Sequence, residues 1–591
     1  MSTTTSSKTT SPKSPASSNL SGLECSPKKR RQLQAAVAES RWLDALRDSW
    51  DRSGRPALLW GMADESVSPE IGNLVKGLFA AADVPPASQW LTMCREVLET
   101  GTATEGAIVN LAAAYALPDL ARSTDDDIWW EMVEHLASIE SPSAEAIEHA
   151  FLPAVWLGGE LPFVLGTVLA EFRRAGKRLR KSGAARLARI AEVYLDGTGL
   201  PYCAHWSSIR PWLAAWTRVR DVACEASIDW PGADPGEDYE WLLRRALQLT
   251  RGDGSSMFSC GPAWEEAFLE SALAWCEDAT EEFLARSLRL PVCRSSVDPE
   301  NRFEKPDPSE FSEWAQGAVM RSGWKPKSGY LAVAFDRTEC RAEFGIRRKV
   351  LAGGIVTEAI RVDGRPLRAA GEWVETCAFS EDGVDYLELE QRLESGWRLQ
   401  RQWMFVRRQR LVLLADALLG THKAQLEMKL TLPLASDVDW LSEEETQDGW
   451  LVTEGKRQAW LVPLAAPEWK VGGEPPVVEQ VDKALTVRAA GKGRALYLPV
   501  LVDLHGSRRD ERLRTWRALT VAERLRIVKP DEAVGYRVQV GSKQWLFYRS
   551  LAAPASRTLL GQNLVTEFFA GRFHRTGEAV PYVEVESDDA S

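Results

Sequence analysis

The segment LPYCAHWSSIRPWLAAWTRVR (200–220) carries the residue types in this chain best suited to chemistry. Tyr202 and His205 lie three residues apart, ahead of a run in which Ile209, Trp212, Leu213, Trp216, Val219 and Ala223 recur at spacings of three and four. That period predicts an amphipathic helix entered through a short loop. A phenol has a pKa of about 10, so Tyr202 needs a positive environment to act as a base. The N-terminal dipole of the 208–220 helix and Arg210 would supply one. His205 titrates near neutrality and would serve as the partner in proton transfer. The same positive end would hold a substrate carboxylate, with Arg210 as clamp. The pair equally fits a plain helix entrance, with Ser208 as N-cap and Pro211 tolerated in the first turn.

Three further groups could line a cleft. Trp206, beside the loop, has a ring face on which a sugar would stack, whereas Trp212 and Trp216 fall on the apolar face and read as core. RGDGSS (251–256) follows a helical stretch and offers Asp253, or is simply a glycine-rich helix stop. FRRAGKRLRKSGAARLARI (172–190) holds eight basic residues and no acidic one. It suits an acidic polysaccharide or RNA, or is a solvated helix face. KKRR (28–31) reads as a helix start rather than a localisation signal or nucleic-acid patch.

These residues have to be positioned by two unlike halves. Residues 1–30 are a Ser/Thr/Pro-rich segment with little to bury, expected to be a disordered tail. From 31 to 290 the pattern is helical, with about a dozen helices and short connections. DYEWLLRRALQLTRGDG shows the logic, with Tyr239, Leu242, Leu243, Ala246 and Leu247 on one face and Gly252 as the stop. Residues 291–326 begin with a proline-rich stretch and read as a linker. From 327 to 591 the period changes to two, in runs such as YLAVAFD, GYRVQVG and QWLFYRS. About fourteen antiparallel strands are expected, with 512–526 as a helical or irregular insert. The fold class is therefore α+β and multidomain, an all-α domain followed by a large antiparallel β-sandwich.

Composition narrows the function. The chain has 591 residues, 45% hydrophobic and 26% charged, which is the make-up of a soluble globular protein. Its net charge of −12 argues against nucleic acid or an anionic membrane as the partner of the whole surface. The nine cysteines are scattered with no CxxC pair, which reads as reduced thiols in a cytoplasmic protein. No secretory h-region or stretch approaching a membrane span is visible. His135, His149, His422, His505 and His574 are far apart, so no metal is expected, and no cofactor motif is present.

The layout, together with LPYCAHWSSIRPWLAAWTRVR, LQLTRGDGSSMFS, RRQRLVLLADALLG and LLGQNLVTEFFAGRF, resembles the heparinase II/III-like polysaccharide lyases. The resemblance implies an incomplete (α/α) toroid joined to a β-supersandwich, with an acidic, uronate-containing glycan lying between them. It further implies β-elimination, in which Tyr202 or His205 removes the proton beside the uronate carboxylate while a charged, amide or metal group steadies the enolate. Members of the family usually add a His from the first sandwich strands. The corresponding stretch here, CRAEFGIRRKVLAGG, has none, and Arg347, Arg348 or Lys349 would have to neutralise the carboxylate instead. The alternatives are a non-catalytic carbohydrate-binding or scaffold protein that retains the architecture and, less favoured, a helical-repeat interaction protein with an appended β domain.

Overall fold

The computed structural model describes residues 25–50, 55–79, 86–143, 147, 149–231, 236–277, 279–292, 305–381, 383–471, 476–553 and 555–586. Most of the expected tail, and residues 293–304 of the expected linker, lie outside these. The helical half comprises α1 (Pro27–Ala38), α2 (Trp42–Trp50), α3 (Pro69–Phe79), α4 (Ala87–Thr100), α5 (Ala103–Ser123), α6 (Asp126–Ser138), α7 (Phe151–Val155), α8 (Leu161–Val168), α9 (Arg173–Tyr194), α10 (Ile209–Glu225), α11 (Gly236–Gln248), α12 (Glu266–Leu273) and α13 (Thr280–Ser287). KKRR opens α1 and docks on its neighbours, with Lys29 over the Phe172 ring and Arg30 over Trp130.

The helix α10 runs through the middle of this half. Its apolar stripe is buried as the period requires, but so are Arg210, Thr217, Arg218 and Arg220 on the other face. Helices surround it, so its polar residues are paired inside the protein rather than solvated. Ser208 makes no side-chain cap, because a 3-10 turn (Cys203–Ser208) feeds directly into the helix. One window, Phe151–Val168, is long and apolar enough to cross a membrane by length and composition. It is 89% buried and serves as a core element of the helical half.

The β half begins earlier than the change of period suggests. β1 (Glu310–Ser312) and β2 (Gly317–Arg321) lie inside the expected linker and pair with β3 (Gly329–Phe335), β4 (Cys340–Ile346) and β5 (Lys349–Ile355) in one antiparallel sheet. The expected insert at 512–526 is neither helical nor irregular. It forms β17 (Arg514–Leu519) and the short β18 (Ala522–Glu523), and β17 pairs residue by residue with β20 (Ala533–Val540). Cross-strand pairing overrides the local Leu/Arg spacing there.

Three sheets stack on the helices. In the first sheet, Tyr330, Ala332 and Ala334 face the helical core, while Leu331, Val333 and Phe335 face the next sheet. The strand period of two therefore places one layer in both cores. The large second sheet carries β9 (Val384–Leu393), β10 (Arg398–Val406), β11 (Leu411–Pro433) and β16 (Ala484–Asp503) at its centre. Leu387, Leu399, Trp403 and Leu414 point to the first sheet, whereas Tyr386, Met404, Leu413 and Ala415 point to the third. Both faces are covered, which is why LVLLADALL reads as an apolar run broken only by Asp416, itself buried against Arg401. This is a helical domain on a β-supersandwich, the architecture expected from the sequence.

Candidate functional site

The first sheet sets the geometry, because its two ends meet different parts of the helical half. At one end, the β1–β2 turn (313–316) receives the 202–205 loop. The Cys203 amide donates to the Ala315 carbonyl at 2.8 Å, and the Cys203 thiol donates to the Phe335 carbonyl at 3.3 Å. The Tyr202 hydroxyl donates to Gln316 Oε1 at 2.7 Å, and Trp314 lies edge-on to the Tyr202 ring at 6.4 Å. Trp314 is 49% exposed, an unusual state for so large a ring. Gln316 adopts a left-handed backbone (φ 54°), a conformation that costs a non-glycine residue free energy. Arg341, on β4, lies beside the same loop: burial pushes the Cys203 thiol up to about 12, and Arg341 opposes that shift.

A half-buried phenol, a side-chain amide and an exposed indole thus share one surface, with the Arg341 guanidinium near the Cys203 thiol of the same loop. Tyr202 can exchange a proton, the Gln316 amide and Arg341 can meet a carboxylate, and Trp314 can stack on a sugar ring. Trp314, Gln316 and Arg341 were missed in the sequence because nothing in FSEWAQGAVMR marks a tight turn that meets a loop more than a hundred residues away.

The remaining expected residues take other places. His205 is buried, its ring stacked 4.0 Å from Phe151 and edge-on to Tyr194 at 5.1 Å. Burial lowers its pKa to about 4, so it is neutral at pH 7, packed under Tyr202 at 6.4 Å between ring centroids. Trp206 is buried in the joint: its Nε1 donates to the Pro201 carbonyl at 2.8 Å, and a Cβ on Gly317 would fall 2.4 Å from its ring. It is packing, with no face open to a sugar.

Arg210 turns inward, not toward the loop. It donates to the carbonyls of Pro262 (2.9 Å) and Gly254 (2.8 Å) and to Thr250 Oγ1 (3.1 Å), with its guanidinium 4.6 Å over the Trp264 ring. Burial pulls its pKa down to about 9, still cationic at neutral pH. It is 2% exposed and its terminal nitrogens order the 250–262 segment, so it cannot clamp a substrate. Asp253 accepts from the Ser255 amide (2.9 Å) and hydroxyl (2.7 Å), which closes a local turn.

Arg347 and Arg348 are exposed at the β4–β5 turn, the opposite end of the first sheet. β4 pairs Cys340 with Phe335 at the Tyr202 end and Ile346 with Gly329 at the other. The length of that strand puts the two ends ~20 Å apart. The structure therefore divides the expected site: Tyr202 and His205 lie at one end, Trp206 and Arg210 inside the joint, and Asp253, Arg347 and Arg348 at the other. Between them the joint is fastened by Arg251, which donates to both Glu343 oxygens (2.7 and 2.6 Å), while the Tyr330 hydroxyl also donates to Glu343 (2.8 Å). Among the described residues, no group of three or more His, Cys, Asp and Glu is placed to hold a metal ion. The basic helix α9 turns Arg180 and Arg186 onto the carbonyls of Gly166 and Pro142, and pairs Arg189 with Glu192.

No protein-family model matches the chain, and no curated protein matches it in sequence. Solved structures do match. A mutant of heparan sulfate lyase HepC from Pedobacter heparinus superposes with a TM-score of 0.53 at 11% identity, over 78% of this chain and 81% of that one. A heparinase III superposes with a TM-score of 0.52 at 12% identity, over 81% and 82%. A second heparinase III gives 0.51 at 12% identity, over 90% and 92%. The chain thus has a heparinase-like lyase fold across most of its length, helical domain and sandwich together.

Proposed function

We propose that this chain acts on uronate-containing acidic polysaccharides by β-elimination at the surface formed by Tyr202, Gln316, Arg341 and Trp314. The observation that carries the reading is the Tyr202–Gln316 hydrogen bond beside an exposed tryptophan, on a fold shared with heparan sulfate lyase and heparinase III structures. Arg341 and the Gln316 amide receive the uronate carboxylate, which makes the neighbouring C–H more acidic. Tyr202 as phenolate takes that proton, and the carbanion is held as an enolate by the same amide and guanidinium. The electron pair then forms the carbon–carbon double bond as the glycosidic C–O bond breaks. The departing oxygen recovers a proton from the Tyr202 phenol, so atoms and charge balance over the cycle.

His205 takes no part in this step, since it is buried, neutral and aimed into Phe151. That burial, with the inward turn of Arg210, favours a second reading in which the surface binds acidic glycan without cleaving it. The test is a panel of uronate polymers followed by the ultraviolet absorbance of the unsaturated sugar end. Product from the native chain and none from Tyr202→Phe supports elimination. Glycan binding with no product from either chain selects the second reading.

A further inference from the structure

At the end of the sandwich away from Tyr202, four chain segments converge: the β4–β5 turn, the β10–β11 turn, the segment after β16 and the turn between β20 and β21 (Lys543–Ser550). The Leu504 amide donates to the Arg410 carbonyl at 2.9 Å, and a Cβ on Gly329 would lie 3.4 Å from Leu504. Arg514 donates to the Arg508 carbonyl at 2.9 Å, and the Gly541 amide donates to Leu513 at 2.8 Å. Each segment delivers a cation: Arg347, Arg410, Arg509 and Lys543. The guanidinium carbons of Arg347 and Arg509 both lie 3.9 Å from the point a Cβ on Gly506 would occupy, so they are no further apart than twice that distance.

None of these four forms an ion pair with a carboxylate among the described residues. Of the acids nearby, Asp503 is held by Arg508 through hydrogen bonds of 2.6 and 2.5 Å, while Asp510 acts on Arg509 and Glu511 on Lys543. Arg509 donates only to Gln458, through its carbonyl (3.1 Å) and side chain (3.4 Å), and its buried Nε has no partner. Burial, then mutual repulsion, lowers the pKa of Arg410 (beside Arg347 and Arg508) and of Arg509 (beside Arg347). Like charges kept together, with Asp503, Asp510 and Glu511 offsetting them only in part, raise the free energy of the folded chain, and a bound oxyanion would relieve that. The cluster is basic on a chain whose net charge is −12.

We infer that Arg347, Arg410, Arg509 and Lys543 form a second anion-binding site, separate from Tyr202, that takes a sulfo group carried on a glycan chain. The forked guanidinium geometry matches a planar or tetrahedral oxyanion in two-point contact. The compact spacing suits one discrete anion on an oligosaccharide better than the continuous charge of a nucleic acid, which the net charge of −12 would also repel. The choice of a glycan as carrier rests on the proposed function; the oxyanion chemistry does not.

Binding of a sulfated uronate oligosaccharide, of its desulfated form and of inorganic sulfate is measured by calorimetry. Tyr202→Phe is present in every sample, so turnover plays no part in the result. The triple variant R347N/R410N/R509S should bind the sulfated oligosaccharide at least about tenfold more weakly than its parent, with binding of the desulfated form unchanged. Asn suits the positive φ of Arg347 (61°) and Arg410 (52°), and R347N alone, on an exposed turn, serves if the triple variant unfolds. Equal affinity of variant and parent for the sulfated ligand overturns the inference. So does tighter binding of single-stranded nucleic acid than of glycan at physiological salt. A missing unsaturated product from the native chain bears on elimination alone and leaves this binding result standing.

Discussion

Two sets of the same three residue types sit in different parts of this molecule. Inside the helical half, Arg218 donates to both oxygens of Glu160 at 2.6 and 2.7 Å, and the Tyr115 hydroxyl donates to Glu160 at 2.9 Å. Across the joint, Arg251, Glu343 and Tyr330 make the same arrangement, but Arg251 comes from a helical-half loop and Glu343 from β4. The first set is sealed by its own domain, with Glu160 presented at the end of a π turn (Trp156–Glu160). The second is sealed only when both halves are present. The joint is thus held much as a domain core is held, by a largely buried, two-point charge pair, and Trp206 wedged against Gly317 packs beside it.

The comparison also separates charges that hold the fold from charges left for ligands. Arg218 and Arg251 are bound by carboxylates and Arg210 by carbonyls, whereas Arg347, Arg410 and Arg509 form no ion pair among the described residues. Removing one member of each triad should rank the two. Glu160→Ala leaves Arg218 buried without counter-charge and should cost about 3–5 kcal/mol in denaturant unfolding. Glu343→Ala should cost about 2–3 kcal/mol, because the Arg251 side chain retains some contact with water. A Glu343 variant as costly as Glu160→Ala would show the joint to be as dry as the helical core.

His205 tests the same joint through pH. Its folded pKa is depressed to about 4 against 6.5 in the unfolded chain, because burial penalises its charged form. The unfolded state therefore binds more protons between these values. Stability is complete above pH 6.5 and falls as pH drops through that window, by about 3 kcal/mol in all. His205→Phe should flatten that part of the stability profile, and an unchanged slope would show that other groups carry it. Gly317→Val forces a side chain into Trp206 and should cost about 1–3 kcal/mol, with protease cutting appearing first near the 199–212 loop. The smallest effect on stability belongs to Tyr202→Phe, which loses one hydrogen bond and about 1 kcal/mol while abolishing any turnover.

The candidate site was only partly legible before folding. Tyr202 stood out because an apolar helical period begins just after it, and His205 because of its proximity in sequence. Neither signal reports which way a ring points: His205 lies on the inner side of the 3-10 turn and Tyr202 on the outer. A charge near a helix start marks Arg210 as a clamp, yet its position on α10 faces the 250–262 segment. The cations at the far end were hidden because RRQR (407–410) and SRRD (507–510) look like ordinary hydrophilic turns until the stacked sheets bring them together.

The order of the two halves, the change from helix to strand and the buried faces of helices such as 209–223 are local properties of the chain. Periods of 3.6 and two are local properties of a chain that must bury one side of each element. Which polar residues meet is set on folding. Pairings such as Tyr202 with Gln316, Arg251 with Glu343 and Arg347 with Arg509 join positions dozens to more than a hundred residues apart. They depend on strand register and on the fit of one domain against another, which no local period encodes.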